Sequence, residues 1–272
     1  MTLLKVLVLG MFLILIQTCQ HGEESVKPLL NAHAHNDYNH QRPLFDALSN
    51  GFISIEADIH LLHDSLFVAH DSIDIKKSKT LQSLYLDPLK KCITGNNFVY
   101  GDSATLILLI DIKTDSLKTY IRLHEILEEY KDMLTIYNGN KQISGAISVI
   151  ISGNRPIKYI KSQKTRYAAI DGRFDVLGSK DEAFFFPLVS ENWNNYFSWN
   201  GEGAMPQEEK VKLQEIINSL HNNGQMLRFW ATPDSESIQR ENVWNELLAA
   251  GVDLIGSDDL NGLSIFLKNY QK

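Results

Sequence analysis

The sequence predicts a single α/β domain in which eight parallel strands and the helices between them close into a (β/α)8 barrel. Short apolar runs rich in β-branched residues recur along the chain, and helical patterns separate most of them. From residue 29 onward no Ser-, Gly- or Pro-rich linker and no charge run divides the sequence. A doubly wound open sheet is the alternative, but the sequence has no Gly-rich dinucleotide-binding loop to support it.

The eight barrel strands are expected at 29–34, 52–58, 105–112, 146–152, 167–170, 184–189, 226–231 and 254–257. A further short strand at 66–70 is expected to pair near the second. Three helices have recognisable ends or faces. Pro206 opens one that ends just before Gly224, and Ser235 can cap another that stops at Gly251. Apolar residues at helical spacing over 117–127 mark the third.

The composition argues against two classes of protein. The 272 residues carry 26 Lys and Arg against 33 Asp and Glu, a net charge of −7, and no basic stripe stands out. Nucleic acid is therefore not an expected partner. Two cysteines are too few for a disulfide framework or a cysteine-based zinc site.

The first 18 residues are predicted to be a signal peptide, because Lys5 precedes an apolar run at 6–16 that is too short to span a bilayer. Cys19 follows that run as in a bacterial lipoprotein signal and is the expected lipidation site; an ordinarily cleaved signal and a retained anchor are alternatives. We therefore expect an exported protein, membrane-anchored through an N-terminal lipid or periplasmic or secreted. Residues 19–28 would be a short tether and 29–272 the barrel domain.

Polar residues stand where several predicted strands end, on the barrel face that carries active sites. Glu56 and Asp58 are two residues apart and point to the same side of one strand, and Asp111 reaches that face from its neighbour. Three hard oxygen ligands suit Mg²⁺ or Ca²⁺ better than zinc. His35 and His70 end other segments and are available as a general acid and a general base.

Three further features concern the same face of the barrel. Lys113 lies two positions after Asp111 and can face an anionic substrate. His33 points to the same side as His35 and is either a metal-proximal group or a packing residue. The aromatic stretch at 191–203 either stacks against a headgroup or pins a long loop to the barrel.

This set of motifs resembles the glycerophosphodiester phosphodiesterase and phosphatidylinositol-specific phospholipase C-like superfamily over essentially the whole mature chain. The opening His-Ala-His-Asn-Asp-Tyr is similar to a bacterial and fungal branch of it. The matching segments are Ala34-His35, 51–58, 67–71, 111–113, Phe229-Trp230 and 251–258.

The resemblance implies a TIM barrel of the phospholipase C-like type and a metal-dependent phosphoric diester hydrolase. The substrate it implies is a glycerophosphodiester, a phosphoinositide or a related lipid-headgroup diester. It makes His35 and His70 the catalytic pair. The metal ligands it implies are Glu56, Asp58 and Asp111, and the substrate-binding candidates are Asn36, Lys113, Arg228 and Trp230.

The chain also departs from that family. Asn36-Asp37 stand where the phosphodiesterases usually have Arg-Gly after the first histidine, so Arg228 or Lys113 is expected to supply the missing phosphate contact.

Two rival functions remain. A metal-dependent amidohydrolase shares the opening His-x-His, but it needs further histidines on middle strands, and only His124 and His221 follow residue 70, both on predicted helices. The other rival is a non-catalytic binding lipoprotein on the same scaffold, which would not need an acid–base pair together with three carboxylates.

Overall fold

The computed structural model describes residues 26–93, 98–101, 104–176 and 183–270. Strands in these residues are, in chain order, β1 (Leu29–Ala34), β2 (Phe52–Leu62), β3 (Ser65–Val68), β4 (Leu106–Ile112), β5 (Ile136–Asn138), β6 (Lys141–Ile143), β7 (Ile147–Gly153), β8 (Thr165–Arg166), β9 (Ala169–Gly172), β10 (Leu188–Asn192), β11 (Met226–Trp230) and β12 (Leu254–Ser257). Helices are α1 (Phe45–Ser49), α2 (Asp87–Ile93), α3 (Ser116–Glu129), α4 (Ile157–Ser162), α5 (Trp193–Tyr196), α6 (Gln207–His221), α7 (Ile238–Ala250) and α8 (Leu260–Tyr270).

Eight of the strands form a closed parallel barrel, which confirms the predicted fold. Strands β1, β2, β4, β7, β9, β10, β11 and β12 pair in chain order. The ring closes because β1 pairs in parallel with both β2 and β12. Strand β3 returns antiparallel along β2, as expected for the extra strand at 66–70. The open-sheet alternative is therefore excluded.

The barrel strands are buried on both faces, which explains their continuous apolar runs. Along β4, every residue except Asp111 is buried, and along β7 the buried positions include Ile147, Val149 and Ile151. Burying one such side chain contributes about 1.5–3 kcal/mol to the free energy of folding, so burial strongly stabilises these strands. Asp111 interrupts a run of residues that otherwise pack in the barrel, and this makes it a candidate functional residue.

Helix ends follow the expected capping chemistry with one shift. Asp115 caps α3 by accepting a 2.8 Å hydrogen bond from the Lys118 backbone N–H. Ser237, rather than the predicted Ser235, caps α7 by accepting from the Arg240 backbone N–H at 3.2 Å. Gly251 ends α7 with φ of 95°, a left-handed conformation that glycine adopts without steric cost.

Strand β9 begins two residues later than the sequence predicts, and β10 begins four residues later. The run at 184–189 was expected to be extended throughout, but β10 starts at Leu188 because the preceding aromatics pack on a buried guanidinium. Arg166 lies 4.8 Å from the ring centres of both Phe184 and Phe185 and 3.8 Å from that of Tyr137. It also donates to the Phe184 carbonyl at 2.8 Å. This packing holds Phe184 and Phe185 against Arg166 of β8.

The N-terminal predictions concern residues that the structure does not describe. The expected signal peptide at 1–18, the lipidation of Cys19 and most of the tether at 19–28 lie outside the described residues, which begin at Val26. Among the described helices, none has the length and apolar character needed to cross a membrane.

Candidate active site

A cavity of about 240 Å³ lies at the carboxyl ends of the barrel strands, where the sequence places its polar residues. Every predicted site residue of the barrel except Asp58 lines it, and Asp58 is buried against its lining residues His70 and Lys113. The lining residues are His35, Asn36, Glu56, His70, Asp111, Lys113, Ser152, Asp171, Arg173, Ser190, Arg228 and Trp230.

Three carboxylates converge at one side of this cavity. Glu56, Asp58 and Asp111 each offer an oxygen, and these atoms all lie within 4.8 Å of one another. Asp58 and Asp111 are register partners across β2 and β4, so the barrel itself sets them side by side. Such close like charges repel unless a cation lies between them. Burial and the neighbouring carboxylates raise the pKa of Asp111 to about 6, although Lys113 opposes this.

The carboxylate cluster fits a hard divalent cation. The buried Asp58 Oδ1 has no hydrogen-bond partner among the described residues. Gly153 leaves room for Asp111, because a Cβ at Gly153 would overlap Asp111 Oδ1. An all-oxygen donor set with a free buried oxygen suits Mg²⁺ or Ca²⁺. Lys113 supplies one positive charge here, with Nζ 3.0 Å from Asp58 Oδ2 and 3.4 Å from Asp111 Oδ1.

Glu56 is fixed from beneath by buried partners. Its Oε2 lies 3.0 Å from His33 Nε2 and 2.9 Å from Arg228 Nη2. Burial and the charge of Arg228 lower the pKa of His33 to about 4, so its imidazole is neutral near pH 7. Neutral His33 donates to Glu56 through Nε2 and accepts from Ser54 Oγ at Nδ1, 2.7 Å away. His33 therefore positions Glu56 and does not itself line the cavity.

His35 is oriented by a carboxylate from the last barrel strand. Its Nδ1 lies 2.8 Å from Asp258 Oδ1, and Asn36 Nδ2 also donates to that oxygen at 3.3 Å. Burial lowers the pKa of His35, but the hydrogen bond to Asp258 and the charge of Glu56 outweigh it, and the net shift is upward. With Nδ1 bound in this way, Nε2 is the nitrogen left for a substrate.

His70 has the same arrangement on the other side of the cavity. Its Nδ1 lies 2.9 Å from Asp58 Oδ2, and the Tyr38 hydroxyl lies 2.7 Å from that same oxygen. Buried His60 donates through Nε2 to the backbone oxygens of Ala69 and His70 at 3.1 and 3.2 Å. Tyr38 and His60, which the sequence did not indicate as site residues, thus hold the segment that carries His70.

The aromatic stretch at 191–203 packs on the barrel. Trp193 is buried and stacks on Phe197 with ring centres 4.1 Å apart, and its Nε1 donates to the Trp199 carbonyl at 2.8 Å. Of the two interpretations of this stretch, loop anchoring is the one this packing supports. Trp230, 42% exposed, is the aromatic side chain at the cavity.

Four cavity residues carry no sequence prediction: Ser152, Asp171, Arg173 and Ser190. Ser152 ends the fourth predicted strand, and Asp171 and Ser190 directly follow the fifth and the sixth. The rule that found Asp111, a polar residue at the end of an apolar run, would have found these three as well. Arg173 follows no such pattern, and it reaches the cavity from the segment after β9.

Comparison with known proteins reveals fungal relatives and bacterial structural neighbours. The chain is 29% identical to Altered inheritance of mitochondria protein 6 homolog from Arthroderma benhamiae, over 84% of this chain and 81% of the relative. It is 27% identical to Altered inheritance of mitochondria protein 6 from Eremothecium gossypii, over 92% of this chain and 74% of the relative. A glycerophosphodiester phosphodiesterase from Parabacteroides distasonis superposes with a TM-score of 0.52 at 14% identity, covering 90% of this chain and 100% of that chain. This neighbour shares the barrel fold.

These relatives correct one expectation. The prediction of an exported protein, whether a lipid-anchored, periplasmic or secreted one, is contradicted because the relatives are fungal proteins named for the inheritance of mitochondria. The length of an apolar run and its flanking lysine describe a targeting segment in physical terms, but they do not specify the membrane to which it is directed.

The family assignment rests on the half of the barrel that carries the carboxylate cluster and both cavity histidines. The AIM6-like phosphodiesterase domain matches residues 23–171. That range contains His35, Glu56, Asp58, His70 and Asp111. The chain therefore belongs to the AIM6-like phosphodiesterase family.

Proposed function

We propose that this protein is a metal-dependent phosphoric diester hydrolase whose substrate is a glycerophosphodiester, a phosphoinositide or a related lipid-headgroup diester. One observation carries the proposal: two histidines, each held through Nδ1 by a carboxylate, share a cavity with three clustered carboxylates and a lysine. The family to which the chain belongs supports the phosphodiesterase class. The glycerophosphodiester phosphodiesterase named among the structural neighbours supports the choice of substrate.

The substrate would bind through its phosphate and its alcohol groups. Lys113 and Asn36 both line the cavity, and they can hold phosphate oxygens. Trp230 presents an exposed ring that can pack against a glycerol or inositol group. A divalent cation held by Glu56, Asp58 and Asp111 would polarise the phosphate oxygens and offset the charge that develops in the transition state.

The two histidines divide the proton transfers. His70 accepts the proton of the attacking water while Asp58 holds its other nitrogen, and the water oxygen bonds to phosphorus. His35, whose pKa is raised by Asp258, donates a proton to the departing alkoxide as its bond to phosphorus breaks. The products are an alcohol and a phosphomonoester. If a neighbouring hydroxyl of the substrate attacks instead, the first product is a cyclic phosphate.

The test is an assay of the purified protein on bis(p-nitrophenyl) phosphate and on glycerophosphodiesters with Mg²⁺, Ca²⁺ or EDTA. We expect EDTA to abolish hydrolysis and His35→Ala or His70→Ala to lower kcat by about 10²-fold or more. His63→Ala is the control, because His63 is exposed in the turn between β2 and β3 and does not line the cavity. Hydrolysis that persists in EDTA, or that His35→Ala retains in full, would refute the mechanism.

The amidohydrolase alternative finds no support in the site. Its chemistry needs histidines from middle strands, but His124 lies on α3 and His221 on α6, as predicted. Among the described residues, the histidines that line the cavity are His35 and His70.

A further inference from the structure

The two cations expected to contact the phosphate are both engaged with carboxylates. Arg228 is buried and forms an ion pair with Glu56 at 2.9 Å. Lys113 lies between Asp58 and Asp111. Part of the charge of each residue is therefore already used to neutralise the carboxylate cluster.

A third cation, Arg173, lines the same cavity from the segment after β9. Its Nη1 donates to Asp171 Oδ2 and to the Gly172 carbonyl, each at 2.7 Å. Asp171 is fully buried and also accepts from Ser152 Oγ at 2.7 Å, so its carboxylate is a rigid anchor. A guanidinium has five N–H donors, and these contacts occupy mainly those of Nη1. Arg173 is thus held at one end while its remaining donors are available in the cavity.

The strand register places Arg173 close to the carboxylate cluster. Ser152 is the register partner of Asp111 across β4 and β7, and neighbouring strands lie about 4.8 Å apart. Arg173 Nη2 lies 3.5 Å from Ser152 Oγ. A phosphate bound between Asp111 and Ser152 therefore lies on the side of the carboxylate cluster that faces this guanidinium.

Unpaired donors on the adjoining strands support an anion site. Ser190 Oγ and Arg228 Nε are both buried without a partner among the described residues, and both residues line the cavity. They are register partners across β10 and β11. Leaving buried polar groups unpaired is costly, so a bound acceptor is expected here. Asp171 Oδ1 is also unpaired, and as an acceptor it suits a hydroxyl group of the substrate.

We propose that Arg173, anchored by Asp171, binds the non-bridging oxygens of the substrate phosphate together with Ser190. The arginine that follows the first histidine in related phosphodiesterases is thereby replaced by one that follows β9, across the barrel from β1. The inference rests on the proposed function, because it takes the substrate to be a phosphodiester. Arginine suits this position, since its planar guanidinium group can make two parallel hydrogen bonds to phosphate.

The proposal is tested by isothermal titration calorimetry, which measures the binding of glycerol 3-phosphate to the full chain in the presence of Mg²⁺. We expect Arg173→Gln to weaken binding about 10- to 100-fold. Arg173→Lys should recover part of that loss, because lysine restores the positive charge but cannot make the two parallel hydrogen bonds of a guanidinium. Arg122→Gln is a matched control: the Arg122 side chain is also 27% exposed and paired with carboxylates, but it lies on α3 away from the cavity. Its binding should be unchanged.

A second measurement separates the phosphate from other anionic groups of a substrate. Arg173→Gln should lower kcat/KM to a similar extent for glycerophosphodiesters with neutral, zwitterionic and anionic headgroups.

A loss confined to anionic headgroups, or unchanged glycerol 3-phosphate binding by a folded Arg173→Gln variant, overturns the inference and leaves the proposed function intact. If the unaltered protein hydrolyses no diester, the proposed function fails, and the calorimetric comparison still tests Arg173. Absence of glycerol 3-phosphate binding to the unaltered protein also overturns the inference.

Discussion

At the scale of single residues, the site is built from histidines whose second nitrogen is occupied. Asp258 binds His35 at Nδ1 and Asp58 binds His70 at Nδ1, so each ring keeps Nε2 for the substrate. A hydrogen bond of this kind fixes both the tautomer and the ring orientation. The two carboxylates differ in exposure and in their other contacts. Asp258 is 55% exposed, whereas Asp58 is buried and also pairs with Lys113.

Asp258→Asn tests the role of His35 through the pH profile of the enzyme. The Asp258 carboxylate raises the pKa of His35, so its removal should lower that pKa. If His35 acts as the acid, it must be protonated, and the alkaline limb of the kcat/KM profile should move to lower pH. We expect kcat to fall about 10-fold at neutral pH, because the general acid loses the hydrogen bond that orients it and raises its pKa.

The matched control for this substitution is a second His–Asp pair outside the cavity. Asp253 accepts from His221 Nε2 at 2.9 Å, and Asp253→Asn should leave the position of the limb unchanged. A limb that stays in place in Asp258→Asn would show that His35 is not the titrating acid.

At the scale of elements, the end of β7 determines the position of a predicted metal ligand. Gly153 has φ of +65°, and a Cβ there would overlap Asp111 Oδ1. We expect Gly153→Ala to displace the Asp111 carboxylate and to weaken Mg²⁺ or Ca²⁺ binding at least 10-fold in a calorimetric titration. Gly139→Ala is the control, because Gly139 has a similar φ of +57° with no neighbour within 4 Å of the added Cβ. Both variants carry the same type of backbone strain, so equal cation affinity in the two would argue against this role of Gly153.

The elements also show what the sequence alone can and cannot predict. The eight barrel strands were predictable because each is an apolar run covered on both faces, whereas β5, β6 and β8 are two or three residues long and carry no such pattern. Glu56, Asp58 and Asp111 were predictable because they interrupt or end apolar runs. Arg173 was not, because it lies beyond the end of β9 and its place in the cavity depends on the contacts of that segment with Asp171 and Ser152.

At the scale of the whole molecule, the site exists only when the barrel is closed. His35 and Asp258 are 223 positions apart in the chain, and their contact depends on the pairing of β1 with β12. The carboxylate cluster depends in the same way on the pairing of β2 with β4. An unfolded chain has neither arrangement. A cation that binds the carboxylate cluster therefore binds only the folded state, and by linkage it stabilises the entire barrel against unfolding.

This linkage predicts that a divalent cation raises the thermal unfolding midpoint. The repulsion among Glu56, Asp58 and Asp111, whose oxygens lie within 4.8 Å of one another, is relieved when a cation binds. At 100 times its dissociation constant the cation contributes about 2.7 kcal/mol, which corresponds to an increase of about 5 °C for a barrel of this size. The measurement is a thermal melt in Mg²⁺ or Ca²⁺ against NaCl of equal ionic strength, with Asp111→Asn as the variant that removes one ligand. An equal increase in NaCl, or in Asp111→Asn, would mean that the effect is general screening of charge and not binding at the cluster.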